Sequence, residues 1–326
     1  MSEFRSGFAA IVGRPNVGKS TLANALVGQK VAITSSKPET TRGAIRAIIQ
    51  RDDAQVVLVD TPGLHRPRTE LGSRLNDMVH GALADVDAVV VALPADQKIG
   101  PGDRFLLGAV PKGLATVVVV TKVDKVSPTG LVEKLTEVDA AVSPAVGANR
   151  PPAKARPAGS GSGPQKKPDE TLRGRCAGIV PVSAVKGSGL EELASVLTGL
   201  MPLGPKWYPE DQVTDQDLAV RLAELVREAG LEAMRDELPH SIAVLVEEIE
   251  RPEGPGVTRV RASLFVERDS QKGIVIGHRG SRLKAIGSAA RPGIEALIGG
   301  KVFLEIHVKV AKDWQRDPKA LRRLGF

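Results

Sequence analysis

The chain has 326 residues, 42% of them hydrophobic, with 45 Lys and Arg against 38 Asp and Glu for a net charge of +7 and one cysteine, Cys176. That length suits two or three domains with buried cores, and a lone cysteine excludes an intrachain disulfide or an all-cysteine metal site. The longest apolar run, AVVVALPA at 88–95, falls far short of the roughly eighteen residues a membrane span needs, and the acidic N-terminus does not read as a signal peptide, so a reducing cytoplasm is the expected compartment.

In chain order, FAAIVG (8–13) reads as a buried strand and runs into GRPNVGKST (13–21), which opens the helical LANALVG. A glycine-rich turn between a strand and a helix directs backbone N–H groups inward and makes a nest for phosphate oxygens. The expected nucleotide-binding residues here are Gly13, Arg14, Pro15, Asn16, Val17, Gly18, Lys19, Ser20 and Thr21. Lys19 is set to reach the β- and γ-phosphates of a nucleoside triphosphate, and the Ser20 hydroxyl to ligate Mg²⁺. PETTRG (38–43) lies in the interval of a switch loop, with Thr41 expected as second Mg²⁺ ligand and Thr40 as its rival. VVLVD (56–60) is the next strand and ends in DTPG, where Asp60 would hold Mg²⁺ and the Gly63 amide would sense the γ-phosphate.

Helical periodicity follows in LGSRLNDMVHGALAD, then a strand at AVVVAL (88–93), a helix at GDRFLLGAV and a strand at TVVVVTK (116–122). TKVD (121–124) ends that strand. An Asp at this point accepts from the N1–H and exocyclic amino group of guanine, a donor pair adenine lacks. Asp124 is therefore expected to read the base, Thr121 and Lys122 to flank it, and the VSA turn (182–184) to add Ser183 and an Ala184 amide donating to guanine O6. AGIVPVSA (177–184) is the last strand of this alternation and GLEELASVLTGL its last helix. Apolar runs without alternation suit strands covered on both faces, so the expected fold is α/β, a doubly wound and mostly parallel sheet. Residues 143–175 are rich in Pro, Gly, Ala and Lys and are expected as a disordered insertion. MPLGPKWYPEDQVTD (201–215) has the turn residues of an interdomain linker.

Residues 216–235 place leucine and valine at three- and four-residue spacing, as in an amphipathic helix. HSIAVLVEEIE and VTRVRASLFVERD read as paired strands around RPEGPG, followed by a helix, the Gly277-His278-Arg279-Gly280 loop, a second helix and the strand KVFLEIHVKVAKDW. That order resembles a type II KH domain, whose GxxG loop lets a nucleic-acid backbone approach closely. With 34 glycines a bare GxxG is uninformative, but here an apolar IVI precedes it and Arg282 and Lys284 follow it. Charge divides sharply as well. Residues 207–267 hold 6 Lys and Arg against 14 Asp and Glu, whereas 268–326 hold 13 against 5. A basic half around a phosphate-clamping loop favours RNA. Trp314 reads as core, Cys176 as a small buried hydrophobe and His65 as an exposed switch residue.

GRPNVGKS, ETTR, DTPG, TKVD and VSA stand in the order of the Era-type GTPases, which the chain resembles further in LVGQKVAITSSKPETTR, DTPGLHRPR, WYPEDQVTD and VIGHRG. The resemblance implies a G domain over 1–204, a linker over 205–216 and a type II KH domain over 217–326. It implies GTP hydrolysis with Mg²⁺, with Lys19, Thr41, Asp60, Gly63 and Asn16 as the catalytic set, and Asn16 matches an asparagine that related GTPases use to coordinate K⁺. It implies binding of the 3′ end of 16S rRNA, a role in 30S subunit assembly, and a monomer in the cytoplasm. A peripheral position on the inner face of the membrane stays open. Thr121 stands where the family has Asn, and Leu64 stands where Ras-like switches carry a water-orienting Gln. Those two departures sustain an alternative, an RNA-binding scaffold that hydrolyses almost nothing. A P-loop ATPase or kinase is disfavoured by TKVD and VSA.

Overall fold

The computed structural model describes residues 4–35, 37, 40–64, 69–142, 176–234 and 242–325. The expected insertion at 143–175 and His65 lie outside them. Two sheets organise the chain. The first contains β1 (Arg5–Val12), β2 (Ile45–Gln50), β3 (Ala54–Asp60), β4 (Ala88–Pro94), β5 (Ala115–Thr121) and β6 (Cys176–Pro181), in the order β2-β3-β1-β4-β5-β6. All neighbours are parallel except β2 with β3. Every residue of β3 and β4 is buried, which is why their sequences show no alternation. One face is covered by α1 (Lys19–Val27) and α5 (Leu190–Leu200), through Leu22, Leu193 and Leu197. The other is covered by α2 (Glu70–Ala84), α3 (Pro101–Ala109) and α4 (Pro128–Val142), through Val79, Leu106 and Val138.

Strand β2 and helices α4 (Pro128–Val142) and α9 (Pro318–Arg323) go beyond the elements read from the sequence. The run IRAIIQ suits a helix as well as a strand, and only its pairing with β3 decides. Helix α4 begins at Pro128, a position where the missing N–H costs nothing. The strand expected over 177–184 ends at Pro181, and the one over 116–122 ends at Thr121, because Lys122 turns to φ 58°. Cys176 opens the edge strand β6 and is half-buried rather than buried.

The second sheet holds β7 (Ala243–Glu250), β8 (Thr258–Val266) and β9 (Val302–Val310), with β7 antiparallel and β9 parallel to the central β8. Helices α6 (Leu218–Ala233) and α8 (Ser281–Ile298) pack on it through Leu222, Val226, Ile286 and Ile294. Helix α7 (Asp269–Ile276) leads through a single 3-10 turn, His278–Gly280, into α8, and α9 (Pro318–Arg323) closes the chain. Residues 201–217 have no regular structure but are tied to the first sheet. Buried Gln55 accepts from the Trp207 and Tyr208 amides and donates to the Tyr208 carbonyl, and the Ile48 amide donates to Val213.

A smaller apolar cluster joins the two units. Leu71 and Leu75 of α2 meet Ala243, Phe265, Leu321, Leu324 and Trp314, whose side chain is 0% exposed. Replacing Trp314 by Ala should cost about 3–5 kcal/mol, the usual loss for a large buried aromatic. Urea unfolding followed by circular dichroism checks this; an unchanged midpoint would contradict the burial.

Candidate functional site

Strand β1 ends at Val12, and the loop 13–18 turns back before α1 begins at Lys19. Gly18 makes the turn at φ 102°, a conformation side chains rarely tolerate. The loop closes around Lys19, whose Nζ donates to the carbonyls of Gly13 at 3.1 Å and Arg14 at 3.0 Å. Burial pulls the Lys19 pKa down to about 8, against the attraction of Asp60. Val17 is buried in the core, so it serves the loop through its backbone. The Arg14 guanidinium is engaged with Asp103 at 2.6 Å and with Gln97, and only the Arg14 carbonyl faces Lys19.

Strand β3 delivers Asp60 beside this loop. The Ser20 hydroxyl donates to Asp60 Oδ2 at 2.7 Å, Ser20 Oγ and Thr41 Oγ1 lie 2.8 Å apart, and Thr41 donates to the same Oδ2 at 3.4 Å. Thr40 turns the other way and donates to the Lys37 carbonyl at 2.7 Å. Asp60 is wholly buried, and its Oδ1 has no hydrogen-bond partner. Burial raises the Asp60 pKa, opposed by Lys19 and by the hydroxyls of Ser20 and Thr41. Two hydroxyls and a carboxylate with an oxygen to spare form a hard-oxygen set that fits Mg²⁺. Gly63 presses on the loop: a Cβ there would stand 2.7 Å from the Pro15 nitrogen. Leu64, in the place of a water-orienting Gln, is buried in the core.

At the other end, Thr121 donates to the Val17 carbonyl at 2.6 Å and Lys122 Nζ to the Asn16 carbonyl at 2.6 Å. The Thr121 hydroxyl thus ties the turn after β5 to the loop 13–18. Ser183 donates to Asp124 Oδ1 at 2.6 Å, the main reason the Asp124 carboxyl sits below its ordinary range, and Ala184 follows directly. A cavity of about 320 Å³ is lined by Pro15, Asn16, Gly18, Lys19, Ser20, Thr21, Thr40, Thr41, Gly63 and Lys122. Ile33, Thr34, Ser35 and Lys125 also line it. The sequence reading did not assign these four, although ITSS stood in the flank it quoted for the switch.

The second unit carries the GxxG loop between α7 and α8. Gly277 and Gly280 take φ 72° and 79°, and Arg279 takes φ 50°. His278, Arg279 and Lys284 are exposed, whereas Arg282 is half-buried and donates to the Ile274 carbonyl at 2.7 Å. Gly280 caps α8, so the free amides of that helix start open onto the loop. Exposed Ile274 offers an apolar surface beside them.

Comparison with known proteins places this geometry. Residues 8–122 match the family model described as 50S ribosome-binding GTPase, and residues 237–315 match the KH domain. GTPase Era of Nocardioides sp. is 52% identical over 99% of this chain and 96% of its own. GTPase Era of Mycobacterium tuberculosis is 50% identical over the whole of both chains. Among solved structures, Era in complex with MgGDPNP and nucleotides 1506–1542 of 16S ribosomal RNA superposes with a TM-score of 0.86 at 32% identity, over 99% of each chain. An Aquifex aeolicus Era variant bound to GDP and aluminium fluoride gives 0.85 at 32%, again over 99% of each chain.

Phosphate oxygens beside Lys19 favour its charged form and raise its pKa, so nucleotide binding above pH 8 takes up a proton. Affinity should fall as pH climbs past about 8, by up to ~tenfold per unit. Calorimetry near pH 9 in buffers of different ionisation enthalpy should register most of one proton taken up; no uptake would contradict the placement of Lys19. For Asp124→Asn, GTP affinity should drop by about 10³-fold or more while xanthosine triphosphate gains, since the new amide meets a carbonyl where guanine has an amine. Competition binding with both nucleotides measures the reversal.

Proposed function

The chain belongs to the Era GTPase family, and from that premise we propose that it is a GTP-hydrolysing switch that grips the 3′ end of 16S rRNA during 30S subunit assembly. Its GTPase and KH domains are taken as 1–204 and 217–326, joined by the linker 205–216. The observation that carries the reading is the cluster of Ser20, Thr41 and Asp60 around an unpaired, buried carboxylate oxygen next to Lys19. The MgGDPNP and 16S rRNA in the solved Era complex support it for both halves.

Ser20, Thr41 and Asp60 would hold Mg²⁺, which supplies charge neutralisation between the β- and γ-phosphates. Lys19 sets a protonated ammonium against those phosphates, and the Gly63 amide marks the γ-position. Asp124 and Ser183 select guanine, with Lys122 along the base. Buried Leu64 cannot itself orient water, which fits slow intrinsic hydrolysis. Asn16 lines the same cavity, and its side-chain oxygen would ligate a K⁺ ion that supplies charge where an arginine finger does. Ser183, in turn, keeps Asp124 ionised.

In the second domain, Gly277 and Gly280 admit the RNA backbone, while Arg279, His278, Arg282 and Lys284 meet its phosphates. The protein acts as a monomer in the cytoplasm, and its basic half also suits a peripheral contact with anionic lipid at the inner membrane face. No described helix is long and apolar enough to cross a membrane. Leu64 favours one second reading, an assembly scaffold that senses nucleotide and scarcely hydrolyses it.

Phosphate release from GTP and from ATP should be compared with and without a 16S rRNA 3′-end oligonucleotide, in K⁺ and in Na⁺. GTP-selective turnover, faster in K⁺ and raised by the oligonucleotide, is the expected result. Tight RNA binding without turnover under any condition would favour the scaffold.

A further inference from the structure

Helix α6 belongs to the RNA-binding unit, yet its side chains close on Lys30, Ile33, Thr34 and Thr40 of the G domain. Glu228 accepts from the Thr34 amide at 2.9 Å and from Lys30 Nζ at 2.5 Å. Ile33 is buried in the same apolar cluster as Leu222, Leu225 and Ile294. Arg227, 1% exposed, pairs with Glu224 through Nε at 2.7 Å and Nη2 at 2.6 Å, and Nη2 also donates to the Thr40 carbonyl. On the far side of Thr41, the Arg42 guanidinium donates to the Ile242 carbonyl and lies 5.6 Å from the Trp314 ring centre. The residues before and after Thr41 are thus both held by the C-terminal unit, while Thr41 itself faces Ser20 and Asp60.

Burying a guanidinium is costly unless its partners are well placed. Glu224 satisfies the charge of Arg227, but it does not account for the reach to Thr40, 187 positions away. A carbonyl clamped one residue before Thr41 limits the backbone rotation that would swing the Thr41 hydroxyl out of the cluster. Resting on the proposed role of Thr41 as a Mg²⁺ ligand, we propose that Arg227 is a positioning residue for GTP hydrolysis, by which helix α6 of the RNA-binding unit completes the metal site of the GTPase unit. RNA that displaces α6 then alters Mg²⁺ affinity, and Mg²⁺ with GTP alters RNA affinity by the same factor.

The test uses the full-length protein with Arg227→Met, Arg227→Lys, Thr41→Ala and the double variant Arg227→Met/Thr41→Ala. GTP hydrolysis and binding of a GTP analogue are each followed across a Mg²⁺ titration. Arg227→Met should raise the half-maximal Mg²⁺ concentration about tenfold, the worth of one hydrogen bond from a charged group. Affinity for GDP in a metal chelator should stay at the unsubstituted value, since those contacts bypass Thr41. Arg227→Lys, which keeps a cationic donor, should recover part of the loss. The double variant should be no worse than Thr41→Ala alone, because both act on one group.

An unchanged Mg²⁺ profile in Arg227→Met, or losses that add to those of Thr41→Ala, would overturn the proposal. If Arg227→Met does not fold, Arg227→Lys and Glu224→Gln decide: a shift to higher Mg²⁺ in either supports it, and unchanged profiles in both refute it. Absence of turnover in the unsubstituted protein would sink the hydrolysis reading instead, and the analogue titration would still report on Arg227.

Discussion

At the end of β3 the Asp60 carboxylate is wholly buried, with one oxygen held by Ser20 and Thr41 and the other without a hydrogen-bond partner. A carboxylate in that condition costs several kcal/mol unless positive charge stands close by. Lys19 supplies part of it, and its own burial pulls its pKa down to about 8, while the burial of Asp60 raises the Asp60 pKa against the pull of Lys19. On the proposed function, the remaining demand for positive charge is what a small divalent cation bound with the nucleotide would meet. The loop 13–18, the end of β3 and the segment around Thr41 are positioned to meet at this one group.

Two of those three pieces are built on the first sheet itself. The loop and β3 hang on the fully buried centre of the sheet, where strands β1, β3 and β4 are neighbours. Thr41 stands on an irregular segment before the edge strand β2, and much of its support comes from the second unit through Arg227, Glu228 and the Arg42 contact with Ile242. A net hydrogen bond is worth about 1 kcal/mol, so such support is strong enough to order a segment and weak enough to be displaced. Linkage between nucleotide and RNA needs that balance.

The route to the GxxG loop is short in structural terms. Helix α6 packs against α8 and the sheet through Leu222, Leu225, Val226, Ile286 and Ile294, and α8 begins at the Gly280 end of the loop. A close-packed interior transmits displacement instead of absorbing it. The Trp314 cluster fastens the same unit to α2, so relative motion of the units must repack Trp314 against Leu71 and Leu75.

The sequence by itself carried the nucleotide-binding motifs and the order of most elements. GRPNVGKS, DTPG, TKVD and VSA are runs of consecutive backbone, and a loop that wraps phosphate or a turn that presents a carboxylate is specified by residues next to one another. It also carried the two-unit architecture, because β-branched buried strands and the helical spacing of 216–235 are local patterns. It left Thr40 and Thr41 undecided, missed β2, α4 and α9, and gave no sign that Thr121 would tie itself to Val17 or that Arg227 would reach Thr40. The tertiary structure alone shows them, with Thr41 rather than Thr40 beside Ser20 and Asp60. Ambiguous runs become strands only when a partner strand pairs with them, and a contact between residues 187 apart leaves no periodicity, spacing or composition for a linear reading to detect.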